Sequence, residues 1–431
     1  MAVAGPERLL RPGGEVELVA VGDELLLGDT VDTNGTWLGQ RLAAEGFVVV
    51  RRTVVGDHDA AIRSAVGDAL ARTGVVLVTG GLGPTQDDLT RPAIARLYGW
   101  PLEIDNRWLD VIRARFEARG RTMPEVNRVQ AEVPRGAELL ANERGTAPGL
   151  LLDDPERGLT ILLPGVPGEL RWLFEQWVIH LLRARVGGAR EPVRSRTLRT
   201  TGLPESEVAE RIADVVDSLH PLTIAFLPVG IGIDLRITSW GDGPADQIAY
   251  AMERAEQRIR ERLGAYVYGA DGDDLAEVVG RQLAARGQSI GVAESCTGGL
   301  LMKRLTDAGG ASHWASAGIV SYSNEAKTEL LDVDPVLIAT HGAVSEAVAY
   351  AMLDGIHART GADAALSITG IAGPAGGTPD KPVGTVWIGA SLGSARTVHR
   401  HLFPGTRAEI RERSVQAALA VMLALLREAD A

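Results

Sequence analysis

A single cysteine, Cys296, stands in a chain of 431 residues. It excludes an intrachain disulfide and any cysteine-built metal site, and it fits a reducing compartment. Aromatic residues make up only 4%, so the cores must be built from Ala, Val, Leu and Ile. No apolar run reaches the roughly 18 residues that would raise a membrane span. Residues 1–14 carry Glu7 and Arg8 and lack an unbroken apolar stretch, so they read as a frayed tail rather than a signal peptide. A cytoplasmic protein with no membrane partner is expected. Basic residues are outnumbered, 44 against 56 acidic, for a net charge of −12. Non-specific binding to nucleic acid depends on cations displacing counterions. A polyanionic partner is therefore not expected, and the balance points to a metabolic enzyme.

What is present is ordinary globular composition, 45% apolar and 23% charged, at a length that implies two or three domains. From Glu17 to about Ile179, apolar strands alternate with amphipathic helices. Leu18–Val21, Val48–Val50, Val75–Val78 and Leu159–Leu163 read as strands. Helices capped near Asp32 or Asn34 and near Asp57 separate the first three. This order implies a parallel sheet with helices on both faces, and ligands beyond the C-terminal ends of its strands. Residues 194–268 change rhythm to a small α+β unit, a spacer or dimerisation module, with a hairpin expected around Gly230 and Gly232. A third, α/β domain begins at Asp273. Its strands deliver Ser295, Tyr322 and Thr369 to loops, and its apolar Ser414–Leu426 helix belongs in the core or in a subunit contact.

The last third concentrates chemistry. Ser295 lies between a strand and a helix starting near Gly298, where the N–H groups of Thr297, Gly298 and Gly299 are free to stabilise an oxyanion. A serine hydroxyl needs a base; Lys327 can serve if desolvation lowers its pKa, with Tyr322 relaying the proton or orienting the amine. Against this, Ser and Thr before a glycine pair are ordinary helix caps. Ser295 is not the serine of a Gly-x-Ser-x-Gly, and the Tyr322–Lys327 spacing is five. Cys296 is a rival nucleophile, although a small buried residue is its better reading.

The spellings AESCTGG, VSYSNEAK, HGAVSE, TGIAGPAGG and KPVGTV, in this order, resemble the CinA C-terminal domain, the nicotinamide-nucleotide amidase family. The resemblance spans roughly Asp273 to Leu426. It implies hydrolysis of nicotinamide mononucleotide to nicotinate mononucleotide and ammonia, with Ser295 as nucleophile and Lys327 and Tyr322 as activating partners. It also implies substrate binding by Thr297, Gly298, Gly299, Thr369, Gly370, Gly373 and Arg407, the arginine clamping the 5′-phosphate, with no cofactor at this site.

Near the N-terminus, Gly80-Gly81-Leu82-Gly83-Pro84-Thr85-Gln86-Asp87-Asp88 is a glycine-rich loop opening a helix. Gly80, Gly81, Gly83 and Thr85 would approach phosphate. Asp87 and Asp88, with Asp23, Glu24 and Glu169 on neighbouring loops, could hold a divalent metal bridging a pyrophosphate. Alternatively, Asp87 and Asp88 only cap the helix. VGDELLLGDTVDTN, TGGLGPTQDDLT, NERGTAPG and LLPGVPGEL are similar to the CinA N-terminal domain, which has a molybdopterin-binding-like fold. That resemblance implies metal-dependent hydrolysis of ADP-ribose. Asp23 departs from the family pattern, which usually carries a small hydroxyl residue there.

The whole chain thus resembles full-length CinA. The expected organisation is a molybdopterin-binding-like domain at 15–182, a KH-like module at 190–270 and an amidase domain at 273–431. The middle module lacks the Gly-x-x-Gly clamp of nucleic-acid-binding KH domains. A homodimer acting on small nucleotides is expected. The rival readings are a competence- or damage-linked binding protein and a molybdopterin-handling protein.

Overall fold

The computed structural model describes residues 14–185 and 191–430. The tail therefore lies outside the described residues except for Gly14, as does residue 190. The chain divides into two compact units, one running to Arg194 and including Ser239–Ala249, the other comprising Ser195–Thr238 and Tyr250–Ala431.

In the first unit the six-stranded sheet runs Val48–Val55, Glu15–Val21, Val75–Thr79, Gly158–Leu163, Gly149–Asp154, Glu138–Leu140. The first four strands are parallel. The last two are antiparallel and extend the edge beyond the strands legible in the sequence. Only residues 155–157 join Gly149–Asp154 to Gly158–Leu163, and a parallel crossover needs a dozen residues or more. Alternating side chains give the sheet two apolar faces. Leu18, Leu77 and Ile161 pack with Leu38, Leu42 and Phe174. Val19, Val76 and Val78 pack with Ile62, Val66 and Ile94 on the other side. Asp32 caps the helix Thr33–Ala43 by accepting the Gly35 N–H. Asp57 is not a cap: the next helix is Asp59–Thr73, and the Asp57 carboxylate instead accepts the Asp23 N–H at 2.9 Å.

In the second unit, Thr223–Val229 and Gly232–Ser239 form the expected hairpin, within a four-stranded sheet completed by Arg194–Thr200 and Val267–Ala270. The helical segment after Pro204 is broken at Ile212 into Glu205–Arg211 and Ala213–Val216. The C-terminal sheet runs Ala315–Val320, Ile290–Glu294, Ala364–Gly370, Thr385–Leu392, Ala395–Leu402. Its first three strands are parallel and its last two antiparallel. The helix Arg407–Glu428 covers one face, with Val415, Leu419 and Met422 clustered with Val386 and Ile388. Its apolar surface is thus part of the chain's own core. Glu346–Thr360 covers the other face through Met352 and Leu353, clustered with Ala293 and Ala365. Among the described residues no helix is long and apolar enough to cross a membrane.

The tightest backbone approach in the first sheet is at Gly80, with φ of 95° and a Cβ position 2.2 Å from the Val21 carbonyl oxygen. An L side chain there is disfavoured by about 1–2 kcal/mol from φ alone, before the overlap with Val21. Gly80→Ala is expected to lower the urea midpoint of the first unit's unfolding; an unchanged midpoint would show that the loop can move aside.

Candidate functional site

Ser295 follows the buried strand Ile290–Glu294, and its N–H donates to the Ile368 carbonyl at 2.9 Å, fixing it beside the neighbouring strand. It is only 7% exposed. Lys327 is carried on the helix Asn324–Leu331, capped by the Ser323 side chain, and is 1% exposed. Its Nζ lies 3.0 Å from Ser295 Oγ. The amine's other neighbours are the backbone carbonyls of Ser321 at 2.8 Å, Tyr322 at 3.4 Å and Ser323 at 3.5 Å. None of these partners is an anion. Burial pushes the Lys327 pKa below its ordinary value, more than Cys296 and Glu325 raise it. Neutral Lys327 can donate two hydrogens to carbonyls and aim its lone pair at Ser295 Oγ.

Lysine is itself rare here: Lys303, Lys327 and Lys381 are the three in the chain, the remaining positive charge being arginine. A guanidinium cannot be deprotonated in a protein, whereas an amine can. That bias was a signal for Lys327 the motif reading did not use.

The loop after Ser295 departs from expectation at two of its three N–H groups. Gly299 does not offer a free N–H: it donates to Glu294 Oε2 at 3.1 Å, as Leu301 does at 3.0 Å, while Met302 donates to Oε1 at 2.8 Å. Gly298 donates to the Ser295 carbonyl at 3.1 Å. Of the three, the Thr297 N–H has no acceptor among the described residues. Glu294 was missed, although a carboxylate closing an apolar strand before a helix start must find donors, and the orphan N–H groups supply them. Arg411, also missed, donates to the Thr297 carbonyl at 2.6 Å; it stands four residues, one turn, beyond Arg407.

Tyr322 meets Lys327 through its carbonyl rather than its phenol. The side chain is 60% exposed, and its hydroxyl accepts from Arg407 Nη2 at 2.9 Å. Arg407, exposed in the first turn of its helix, also donates to the Gly373 carbonyl at 2.8 Å. Tyr322, Arg407 and Gly373 thus form one rim of the site. Thr369 is buried and donates to the Ala343 carbonyl at 2.7 Å, and Gly370 ends the same strand against Val386. Cys296 sits in the apolar core, its thiol pushed up to about 12 by burial. It is unsuited to attack.

In the first unit, the loops after Val21, Thr79 and Leu163 line a cavity of about 530 Å³. Gly80, Gly81, Gly83, Glu24, Asp87, Asp88 and Glu169 are among its walls. Most of the carboxylates expected to hold metal have other work. Asp88 accepts from the Gly83 N–H at 2.7 Å, the Thr85 N–H at 2.8 Å and the Thr85 hydroxyl at 2.6 Å. Asp23 accepts the Asp57 N–H at 3.2 Å, and Glu169 accepts from Asn142 at 2.7 Å. Burial raises the pKa of Glu169. Burial likewise raises that of Asp57, helped by the charges of Asp23, Glu24 and Asp87. Among the described residues no three His, Cys, Asp or Glu side chains are grouped to hold a metal. The donor set does not fit a preassembled protein cage. Glu24 and Asp87 are exposed on the cavity wall and are the carboxylates that could hold a hydrated divalent cation, since Mg²⁺ commonly takes only one or two carboxylates.

The lysine cage has a thermodynamic signature. With the folded pKa depressed, the unfolded chain binds more protons between that value and about 10.4. The Lys327 contribution is therefore least favourable below this window and improves as pH rises through it. Denaturant unfolding at several pH values should show wild type gaining stability relative to Lys327→Met as pH climbs towards 10. A difference that shrinks with rising pH would contradict a depressed pKa.

With this geometry in hand, three family models match the chain: "CinA C-terminal domain" over residues 272–426, "Probable molybdopterin binding domain" over 17–184 and "Damage-inducible protein CinA KH domain" over 195–269. A CinA-like protein of Gemmatimonas aurantiaca is 46% identical over 94% of this chain and 95% of its own length. A CinA-like protein of Salinibacter ruber is 41% identical over 94% and 98%. The crystal structure of the competence damage-inducible protein A of Klebsiella pneumoniae is 38% identical, with a TM-score of 0.35, over 36% of this chain and 95% of that one. The chain belongs to the CinA family.

Proposed function

We propose that the C-terminal domain hydrolyses the carboxamide of nicotinamide mononucleotide, and that the N-terminal domain cleaves the pyrophosphate of ADP-ribose with a divalent cation. The first reading is carried by one observation, the buried Lys327 amine 3.0 Å from Ser295 Oγ among neutral partners. The CinA C-terminal family match supports it.

In this mechanism neutral Lys327 takes the Ser295 proton as Oγ bonds to the amide carbon. The Thr297 N–H faces the developing oxyanion, a contact of the kind whose loss elsewhere costs about 10²–10³-fold in rate. The Lys327 ammonium then returns the proton to the departing nitrogen, releasing ammonia and leaving an ester on Ser295. Water, deprotonated by the same amine, cleaves the ester and restores the serine. Arg407 has five N–H donors and uses two in the rim contacts, which leaves donors for the 5′-phosphate.

At the N-terminal cavity, Glu24 and Asp87 would hold the cation, whose chemistry is to polarise the phosphoryl oxygens. Asp88 shapes the loop that receives the diphosphate.

Ammonia release from nicotinamide mononucleotide tests the first reading. Ser295→Ala should lose at least about 10³-fold in rate, as loss of an activated nucleophile does elsewhere, and Lys327→Arg should be equally inactive. Cys296→Ala should stay active. A dead Cys296→Ala beside an active Ser295→Ala would reverse the assignment. For the second activity, chelator should stop ADP-ribose hydrolysis and leave ammonia release intact, with Glu24→Gln and Asp87→Asn copying the chelator. Loss of both activities together would contradict separate sites.

A further inference from the structure

Six carboxylates, those of Glu24, Asp32, Asp57, Asp87, Asp88 and Glu169, line the cavity of the first unit, and no Lys, Arg or His does. Anion recognition there falls to main-chain N–H groups and to any cation the ligand brings. In the glycine loop, the Gly80 N–H donates to the Leu163 carbonyl at 3.0 Å, and those of Gly83 and Thr85 donate to Asp88. The N–H groups of Gly81 and Leu82 have no acceptor among the described residues, and both residues line the cavity. Gly81 has a φ of 64°, the left-handed conformation that turns successive N–H groups towards one concave side.

Behind this loop lies an arginine that takes no part in the cavity wall. Arg91 is the second residue of the helix Thr90–Tyr98 and is 2% exposed. Its Nη2 donates to the Leu82 carbonyl at 2.8 Å and its Nη1 to the Val129 carbonyl at 2.7 Å, while its Nε has no partner among the described residues. Burial lowers its pKa to about 10, against the opposing charges of Glu132 and Asp88, so it is a cation at neutral pH. A guanidinium buried with carbonyls as its only hydrogen-bond acceptors is costly to fold. The Leu82 carbonyl and the Gly83 N–H belong to one planar trans peptide and point opposite ways. Arg91 therefore holds one edge of that peptide and Asp88 the other, accepting the N–H at 2.7 Å.

We propose that Arg91 is a positioning residue for a diphosphate ligand: it turns the Leu82 carbonyl away from the cavity and so leaves the Gly81 and Leu82 N–H groups to bind the phosphoryl oxygens. The proposal rests on the reading of this cavity as a diphosphate site. Among the described residues no other donor reaches the Leu82 carbonyl, and a carbonyl oxygen facing the cavity would repel a phosphate. The bond to Val129 seats the guanidinium against the segment Glu125–Ala131, whose Gln130 is another wall of the cavity. Loop and wall are thus held by one side chain. The Arg91 charge acts in the same direction, since a cation in low-dielectric protein is felt across a single peptide.

The test uses full-length protein, Mg²⁺ and α,β-methylene-ADP, a diphosphate that cannot be cleaved at its bridge, with the Leu82 amide followed by NMR in ¹⁵N-leucine-labelled protein. In wild type the analogue should bind and move the Leu82 amide signal. Arg91→Met should weaken binding about 10- to 150-fold, the range for a lost hydrogen bond to a charged group, and the Leu82 signal should stay still at saturation. Arg91→Lys keeps the charge and should recover part of the affinity and of the shift. A residue that only braces the fold would lower the urea midpoint and leave the affinity and the Leu82 shift as in wild type; that result overturns the proposal. If Arg91→Met fails to fold, Arg91→Lys decides, wild-type affinity overturning the proposal and a reduced one supporting it. ADP-ribose hydrolysis by wild type without a Leu82 shift overturns the proposal alone. A Leu82 shift without hydrolysis overturns the hydrolase reading and leaves the diphosphate site standing. Neither shift nor hydrolysis overturns both.

Discussion

Enclosing a lysine amine without an anion is the constraint on which the C-terminal site depends. Removing a charged ammonium from water is strongly unfavourable unless it is paired or loses its proton. Lys327 has only a hydroxyl and three carbonyls around it. The carbonyls are those of consecutive residues, Ser321 to Ser323, turning from a strand into a helix. The same turn that starts the helix thus builds the cage. Everything else at the site holds that arrangement. The Ser295 N–H is anchored to the adjacent strand, Glu294 gathers the free N–H groups of the following helix, and Arg411 ties the Thr297 carbonyl.

The two candidate sites are built from different residue types. The C-terminal site is poor in carboxylates and built from a hydroxyl, an amine and backbone groups. The N-terminal cavity is rich in carboxylates, but most of them bind the chain's own N–H groups. Asp88 shows why. A glycine-rich loop with several exposed N–H groups would otherwise be unsupported, and one carboxylate accepting three donors holds it in shape.

Much of this was legible in the residue order. Strand–loop–helix spacing placed Ser295, Thr369 and the glycine loop at the ends of strands, because short continuous apolar runs followed by glycines leave few other foldings. The Asp32 cap was equally readable. What escaped depends on contacts between distant segments. The phenol of Tyr322 turns to Arg407, 85 residues away, and spacing to Lys327 says nothing about that. The carbonyl cage has no side-chain signature at all. The antiparallel edge of the first sheet escaped because Gly149–Asp154 and its partner are separated by a turn of three residues without a strong hairpin pair such as Asn-Gly.

Only three lysines occur in the chain, so isotopically labelled lysine gives a three-signal spectrum in which each ammonium can be titrated separately. Lys303, paired with Asp307 on the surface, and Lys381 supply the other two signals. The account predicts that the Lys327 signal titrates below the ordinary lysine value, and that it moves when Ser295 is changed to Ala. A Lys327 signal titrating at or above about 10.4 would mean a charged lysine at neutral pH and would contradict its role as the base.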